Sequence, residues 1–348
     1  MLQSVLEKYG FDNTANVSVF GSGHINNTWK VSTTDDEYIL QRVNDLVFKN
    51  PKDIAANIEL IGDYLSQFHP AYKFVAPLKS LVGEEMIHLE GEGYFRMFPF
   101  VKGSHTIDIV ETPEQAYEAA AQFGTFTSRL KNFDENKLKI TIPGFHDLTA
   151  RYKEFLLAVE KGNEQRIAES EELINIVISF KDIITVYEQI KTDASFKLRV
   201  MHHDTKISNV LLDSNNKGIC VIDLDTVMPG YFISDVGDMM RTYLSPVSEE
   251  EKDFDKIEIR EEFYKAIVQG YYSAMKDELT KTETGYFFYA GEFMIYMQAI
   301  RFLTDYLNND LYYGAKYEGH NFIRAANQIT LLKKLRGKKN LLSALQFF

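Results

Sequence analysis

The sequence predicts an α+β chain of two lobes, a small antiparallel sheet carrying one helix and then a larger, mainly helical unit. Three observations predict it. Short alternating apolar stretches, divided by glycine or polar turns, crowd the N-terminal third. Helical periodicity opened by capping signals fills most of the rest. One short β insertion, residues 200–225, interrupts the helices and ends in two carboxylates. The 348 residues are enough for about two domains and a substantial core.

Residues 2–9 read as a short amphipathic helix with Glu7 and Lys8, without the apolar centre of a secretion signal. Val17-Ser18-Val19-Phe20 starts a strand, Gly21-Ser22-Gly23 turns it, and Asn26 to Val31 returns. After the polar turn Thr33 to Asp36, Glu37 to Val43 is a third strand. Neighbours this close pair antiparallel. Asn50-Pro51 is an N-cap with proline in the first turn, opening a helix to about Phe68 with Ile54, Ile58, Ile61 and Leu65 on one face. Phe74 to Leu78, Glu85 to Leu89 and Tyr94 to Val101 are further strands. Val101-Lys102-Gly103-Ser104 marks the boundary between a lobe of residues 1–101 and one of 102–348. Thr112-Pro113-Glu114-Gln115 is a capping box for a helix to about Lys131. Residues 147–161, 167–191, 249–276, 283–308 and 320–335 are the remaining helices, with no internal repeat.

A net charge of −12, from 38 basic and 50 acidic residues, argues against a nucleic-acid partner. The single cysteine, Cys220, excludes an intrachain disulfide framework and reads as a small core residue. No apolar run approaches the ~20 residues of a membrane span, so the expectation is a cytoplasmic enzyme.

Phosphoryl transfer needs a carboxylate beside the attacking hydroxyl and oxygen ligands for Mg²⁺ near the nucleotide phosphates. His202-x-Asp204 followed by Asn209 has the H-x-D-x-x-x-x-N spacing of a kinase catalytic loop, and Asp223 closes a strand shortly downstream. Asp213 and Asn215 are expected to be turn residues only. Asp204, Asn209 and Asp223 in this order point instead to chemistry, Asp204 orienting the hydroxyl and the other two binding metal. Lys206, between them, is placed to balance charge. Gly21-Ser22-Gly23 could bring backbone amides to phosphates, or could be an ordinary hairpin turn. Arg42 or Gln41 could reach the same phosphates, strand parity leaving the choice open. Glu59 either pairs with that cation or lies on the surface. Asp223-Leu224-Asp225 in place of D-F-G, with no A-P-E, argues against a protein kinase.

Taken together these stretches resemble the aminoglycoside phosphotransferase and choline kinase group of the protein-kinase-like fold. Tyr94 to Gly103 is similar to that group's hinge, which implies adenine contacts at Phe98 and Phe100. The chain is closer still to the bacterial N-acetylhexosamine 1-kinases, on Gly21 to Thr28, Tyr38 to Asn44, Ile222 to Gly230 and Arg301 to Leu307. The likeness covers nearly the whole chain. It departs at His203, where relatives often have Gly or Asn.

The resemblance implies ATP and Mg²⁺ as cofactors and transfer of the γ-phosphate to the anomeric hydroxyl of an N-acetylhexosamine or related hexose. Asp204 would be catalytic, Asn209 and Asp223 metal ligands, and Gly21, Ser22, Gly23 and Arg42 nucleotide contacts. Asp235 would brace the loop, and Asp225 would take a metal-related role. A sugar pocket would use His24, Asp204, Tyr243, Arg301 and Tyr312 or Tyr313. Taken from the residues alone, Arg301 either pairs with Asp305 or points into a pocket, His24 is a surface residue, and the tyrosines are packing. Homoserine, choline, ethanolamine or an aminoglycoside are alternative acceptors, and amines would suit the acidic charge. A non-catalytic binding module is opposed by the intact Asp204, Asn209 and Asp223. The expected partner is a small molecule, in an unspecified oligomeric state.

Overall fold

The computed structural model describes residues 2–12, 14–21 and 26–345. Helix α1 (Leu2–Lys8) precedes strands β1 (Asn16–Val19), β2 (Asn27–Ser32) and β3 (Glu37–Val43). Then come α2 (Pro51–Phe68), β4 (Ile87–Leu89) and β5 (Gly93–Pro99). The strands form one antiparallel sheet in the order β1-β2-β3-β5-β4. Phe74 to Leu78 is not a strand. Pro77 has no N–H for a ladder, and only the Leu78 amide reaches the sheet, at the Met97 carbonyl 2.7 Å away.

Strand alternation gives this sheet two different faces. Val31, Leu40, Phe95 and Met97 pack with Val5 and Leu6 of α1 into a small core. The opposite face carries Gln41, Arg96 and Phe98.

The helical unit begins with α3 (Pro113–Arg129), where Thr112 and Gln115 form the expected reciprocal cap. Helices α4 (Leu148–Lys161), α5 (Glu164–Glu169), α6 (Glu171–Ser179) and α7 (Asp182–Thr192) follow. The single helix expected over 167–191 is thus broken at Ser170 and at Phe180-Lys181. Strands β6 (Arg199–Met201), β7 (Val210–Leu212), β8 (Gly218–Val221) and β9 (Met228–Gly230) make two small two-stranded sheets, β6-β9 and β7-β8. The chain ends with α8 (Ile233–Tyr243), α9 (Glu261–Met275), α10 (Lys281–Thr284), α11 (Phe287–Leu307), α12 (His320–Gly337) and α13 (Lys339–Ala344). Residues 249–260, expected as helix, hold only the short turn Phe254–Lys256.

Helix α11 runs through the large core and buries every residue except Arg301 and Thr304. The buried face of α2 (Ile54, Ile58, Ile61, Leu65) belongs to this large core as well. Asn57, fully buried, fixes it there by donating to the Lys139 and Val227 carbonyls and accepting from the Lys139 amide at 2.7 Å. No helix among the described residues is long and apolar enough to cross a membrane.

Candidate active site

The β7-β8 hairpin explains why two residues far apart in sequence meet. Val210 pairs with Val221, so Asn209, just before β7, lies beside Ile222 and Asp223, just after β8. The Ile222 amide donates to the Asn209 carbonyl at 2.9 Å. The hairpin is closed by Asp213, whose carboxylate accepts from the Asn215 and Lys217 amides, with Asn216 at φ 58°. Asp213 is thus the turn residue its type suggests.

Asp204 stands at the head of this arrangement. The Asn209 side-chain amide donates to the Asp204 carbonyl (2.9 Å) and carboxylate (3.1 Å), and Lys206 Nζ lies 3.1 Å from the same carboxylate. Both acceptors are oxygens, so the amide nitrogen must face Asp204 and Asn209 Oδ1 is the atom left to meet a ligand. Burial works against the Lys206 charge, but Asp204 and Asp223 hold its pKa above the usual lysine value.

The loop is held from below by α8. Asp235, fully buried, accepts from the His202 amide (3.0 Å) and the His203 amide (2.8 Å). Asp238 accepts from the Thr205 amide at 2.8 Å. The His202 ring meets the Ile222 carbonyl through Nε2 (2.9 Å) and the Asp204 amide through Nδ1 (3.3 Å), which fixes Nε2 as the protonated nitrogen. Tyr243 is 1 % exposed, and its hydroxyl donates to the Thr205 carbonyl. Its place is therefore beneath the loop and not on an open pocket wall, because a buried phenol needs a hydrogen-bond partner.

Asp223 adopts the left-handed conformation, φ 61°. Among the described residues no side chain donates a hydrogen bond to its carboxylate. Burial, then Asp225 and Asp204, raise its pKa well above the ordinary carboxylate value. A divalent cation would relieve that charge, and Asn209 Oδ1 with Asp223 is the hard oxygen set that Mg²⁺ prefers. These residues therefore fit the metal that the loop spacing implies.

Strand parity resolves the choice between Gln41 and Arg42. Arg42 lies on the α1 side of the sheet, where its Nε donates to the Glu92 carbonyl at 2.6 Å and packs over Gly93. It is turned away from the carboxylates. Gln41 points to the other face and accepts from Arg96 Nε (3.0 Å) and Nη2 (2.8 Å). Arg96, opposite it on β5, lies 2.5 Å from Asp225. The sheet residue that brings a cation to the Asp223-Leu224-Asp225 stretch is therefore Arg96. Sequence reasoning missed it because it sits on the neighbouring strand, inside a stretch read only as a hinge. Glu59 pairs with exposed Lys79 at 3.1 Å and not with Arg42. Phe98 lies under the Arg96 guanidinium, and Phe100 meets Phe20 and Lys30. Gly21, at φ 78°, begins the glycine turn. Ser22, Gly23 and His24 lie outside the described residues.

Of the residues expected in a sugar pocket, the structure brings together Arg301, Tyr312 and Tyr313, with two residues that sequence reasoning passed over, Phe145 and His146. Arg301 does not pair with Asp305, which instead accepts from the Tyr312 amide (2.7 Å), the Tyr313 amide (2.9 Å) and Asn321 (3.0 Å). Its guanidinium donates to Gln298 and faces the rings of Phe145, Tyr312 and Tyr313 at 5.1, 5.9 and 5.5 Å. Phe145 stacks on His146, and His146 Nδ1 meets His203 Nδ1 at 3.1 Å, one residue before Asp204. Burial holds both imidazoles below the usual histidine value, so they are neutral at pH 7. A cavity of about 540 Å³, within the usual range for small-molecule sites, opens at Arg301 and Thr304 and is also lined by Arg151, Glu154, Tyr312 and Tyr313.

The family model for the phosphotransferase enzyme family matches residues 16–279. Solved structures of similar fold include a microcompartment-associated aminopropanol kinase, 15% identical over 98% of this chain and 98% of that one, with a TM-score of 0.66. Another is an aminoglycoside phosphotransferase from Alicyclobacillus acidocaldarius, 14% identical over 97% of this chain and 96% of that one, TM-score 0.61. A third is a choline kinase from Cryptosporidium parvum, 14% identical over 98% of this chain and 96% of that one, TM-score 0.59. The common element is the bilobal kinase-like fold, a five-stranded antiparallel sheet on a mainly helical lobe.

Proposed function

The chain belongs to the phosphotransferase enzyme family and is an ATP-dependent small-molecule kinase, and from that premise we propose that its acceptor is the anomeric hydroxyl of an N-acetylhexosamine or a closely related hexose. The observation that carries the choice of acceptor is Arg301. It interrupts an otherwise buried face of α11, has no acidic partner among the described residues, and is ringed by Phe145, Tyr312 and Tyr313. An uncompensated cation repels an amine acceptor, whereas a guanidinium and aromatic rings suit the hydroxyls and apolar face of a pyranose. The acidic groups that also line this cavity are already engaged, Glu154 with Arg151 at 2.9 Å and Asp305 with the Tyr312 and Tyr313 amides. The choice of the anomeric position rests on the resemblance of Ile222 to Gly230 and Arg301 to Leu307 to the N-acetylhexosamine 1-kinases.

In this reading Asp204 accepts a hydrogen bond from the attacking hydroxyl and aims its oxygen at the γ-phosphorus. Asn209 holds the Asp204 carboxylate in place, and Lys206 pairs with it. Lys206 also offsets negative charge on the transferred group. Asn209 and Asp223 would hold Mg²⁺, which would supply positive charge against that of the phosphate oxygens. Arg96, in place of Arg42, supplies the cation on the sheet side.

The test is a panel of sugars, amino alcohols and aminoglycosides incubated with Mg²⁺ and ATP, the products identified by phosphorus NMR. A sugar 1-phosphate is expected, and turnover of amines alone would refute the assignment. Asp204→Asn should lower kcat by about a thousandfold or more while ATP still binds. Near-normal turnover would remove Asp204 from its role.

A further inference from the structure

Behind the catalytic loop runs a continuous line of charged and amide side chains that the phosphoryl transfer itself does not use. It starts at Asp238, which accepts from the Thr205 amide through one oxygen and from Arg241 (3.0 and 3.1 Å) through the other. Arg241 reaches Glu249 at 2.6 Å. The other oxygen of Glu249 is taken by Arg324, whose second nitrogen donates to Asn321 at 3.0 Å. Asn321, fully buried, donates to Asp305, and Asp305 holds the amides of Tyr312 and Tyr313. The line thus joins the residue after Asp204 to the segment that walls the acceptor cavity.

Its chemistry argues for more than cohesion. Acid and base alternate from Asp238 to Arg324, Asn321 carries the line on to Asp305, and the charged groups are mostly withdrawn from water, with Glu249 the most exposed at 24%. Such chains are weak sources of stability, because well-packed apolar side chains do as well or better. They are strong constraints on geometry, since each charge left unpaired would be costly. Glu249 is the link on which both halves depend. It lies where helical periodicity predicts a helix, yet the backbone there is irregular and is pinned by Asn327, which donates to the Ser248 and Glu251 carbonyls. Burial works against the Glu249 charge, but Arg241 and Arg324 more than reverse this and keep it ionised.

We propose that Glu249 is a positioning residue: clamped between Arg241 and Arg324, it fixes the Tyr312-Tyr313 wall relative to the Asp204 loop and so sets where the acceptor hydroxyl stands. The proposal rests on the phosphoryl-transfer reading above. The test is steady-state kinetics of Glu249→Gln, Glu249→Asp and Arg324→Lys, with N-acetylglucosamine or otherwise the best-turned-over acceptor of the panel. The acceptor KM of Glu249→Gln should rise about tenfold or more and kcat should fall, with the KM for ATP within about twofold of wild type. Glu249→Asp should recover part of the loss. Arg324→Lys, which keeps the charge but not the two-pronged contact, should shift the acceptor KM in the same direction. Wild-type acceptor KM and kcat in Glu249→Gln and Arg324→Lys would overturn the proposal. So would equal losses toward acceptor and ATP, the mark of general damage. Absence of turnover by the wild-type protein with every acceptor would instead remove the phosphoryl-transfer premise, and the proposal with it.

Discussion

His203 stands at φ 65°, a left-handed conformation costing a residue with a Cβ roughly 1–2 kcal/mol. Gly or Asn adopts it with less strain. Here the Asp235 carboxylate and the His146 ring hold the residue in place. His203→Asn should therefore stay within about 1 kcal/mol of wild type, while β-branched His203→Val should lose more than about 2 kcal/mol. Urea unfolding distinguishes them, and equal stability would refute the account. Asp223 gives a pH dependence. Its pKa is raised by burial and by Asp225 and Asp204, and that of Asp235 is pushed up to about 7 by burial despite two amide hydrogen bonds. A raised carboxylate binds its proton in the folded state, and the stability this adds is lost as pH rises through the folded pKa. The metal-free protein should melt lower at about pH 8 than at about pH 6, with a shallower slope in Asp223→Asn. Identical slopes by calorimetry would refute this. The grouping of Asp204, Asn209 and Asp223 was legible because a loop and one hairpin set it. Arg96 was not, because its role depends on a cross-strand partner and on which face β3 presents.

The elements with chemical punctuation were the legible ones. Helix α2 starts at Pro51 and α3 at its capping box, as their sequences indicate. The breaks between α5, α6 and α7 carry no Gly or Pro, so periodicity ran through them. Helix α8 escaped notice because Asp235 and Asp238 sit on a buried face and spoil its apolar stripe. Its position depends on Gly237. A Cβ there would lie 2.3 Å from the Ala290 carbonyl oxygen and 2.8 Å from Met294 Cβ, both on α11. Alanine would gain up to about 1 kcal/mol of helix propensity, but a backbone carbonyl cannot step aside as a side chain end can. The helices must separate, and overpacking of this kind costs about 1–3 kcal/mol. Gly237→Ala should lower the Tm and also reduce kcat, because α8 carries the two aspartates that hold the catalytic loop. A raised Tm with full activity would show that the α8-α11 contact has slack.

At the scale of the whole molecule a buried charge pair joins the sheet to the helical unit, beside the packing of Val43 and Tyr94 against the large core. The small core of α1 and the sheet is separate from the large core that contains α2. Polar contact between the sheet and the stretch after β8 falls on Asp225, which meets Arg96 at 2.5 Å and accepts from Asn26 at 2.8 Å. Both partners of the pair are nearly inaccessible, 2% and 4% exposed. Removing one member of such a pair strands the other and costs about 3–5 kcal/mol, while removing both costs much less. Asp225→Asn and Arg96→Met should each destabilise the protein, and the double variant should be more stable than the sum of the two losses predicts. A coupling energy above about 2 kcal/mol in urea unfolding is expected for residues in one network. Additive losses would mean that the pair is incidental and that the lobes are held by packing elsewhere. The same variants report on function, because in the proposed reading Arg96 supplies the sheet's cation toward the phosphates. The double variant should recover stability without recovering the KM for ATP. Recovery of both would assign Arg96 a structural role alone.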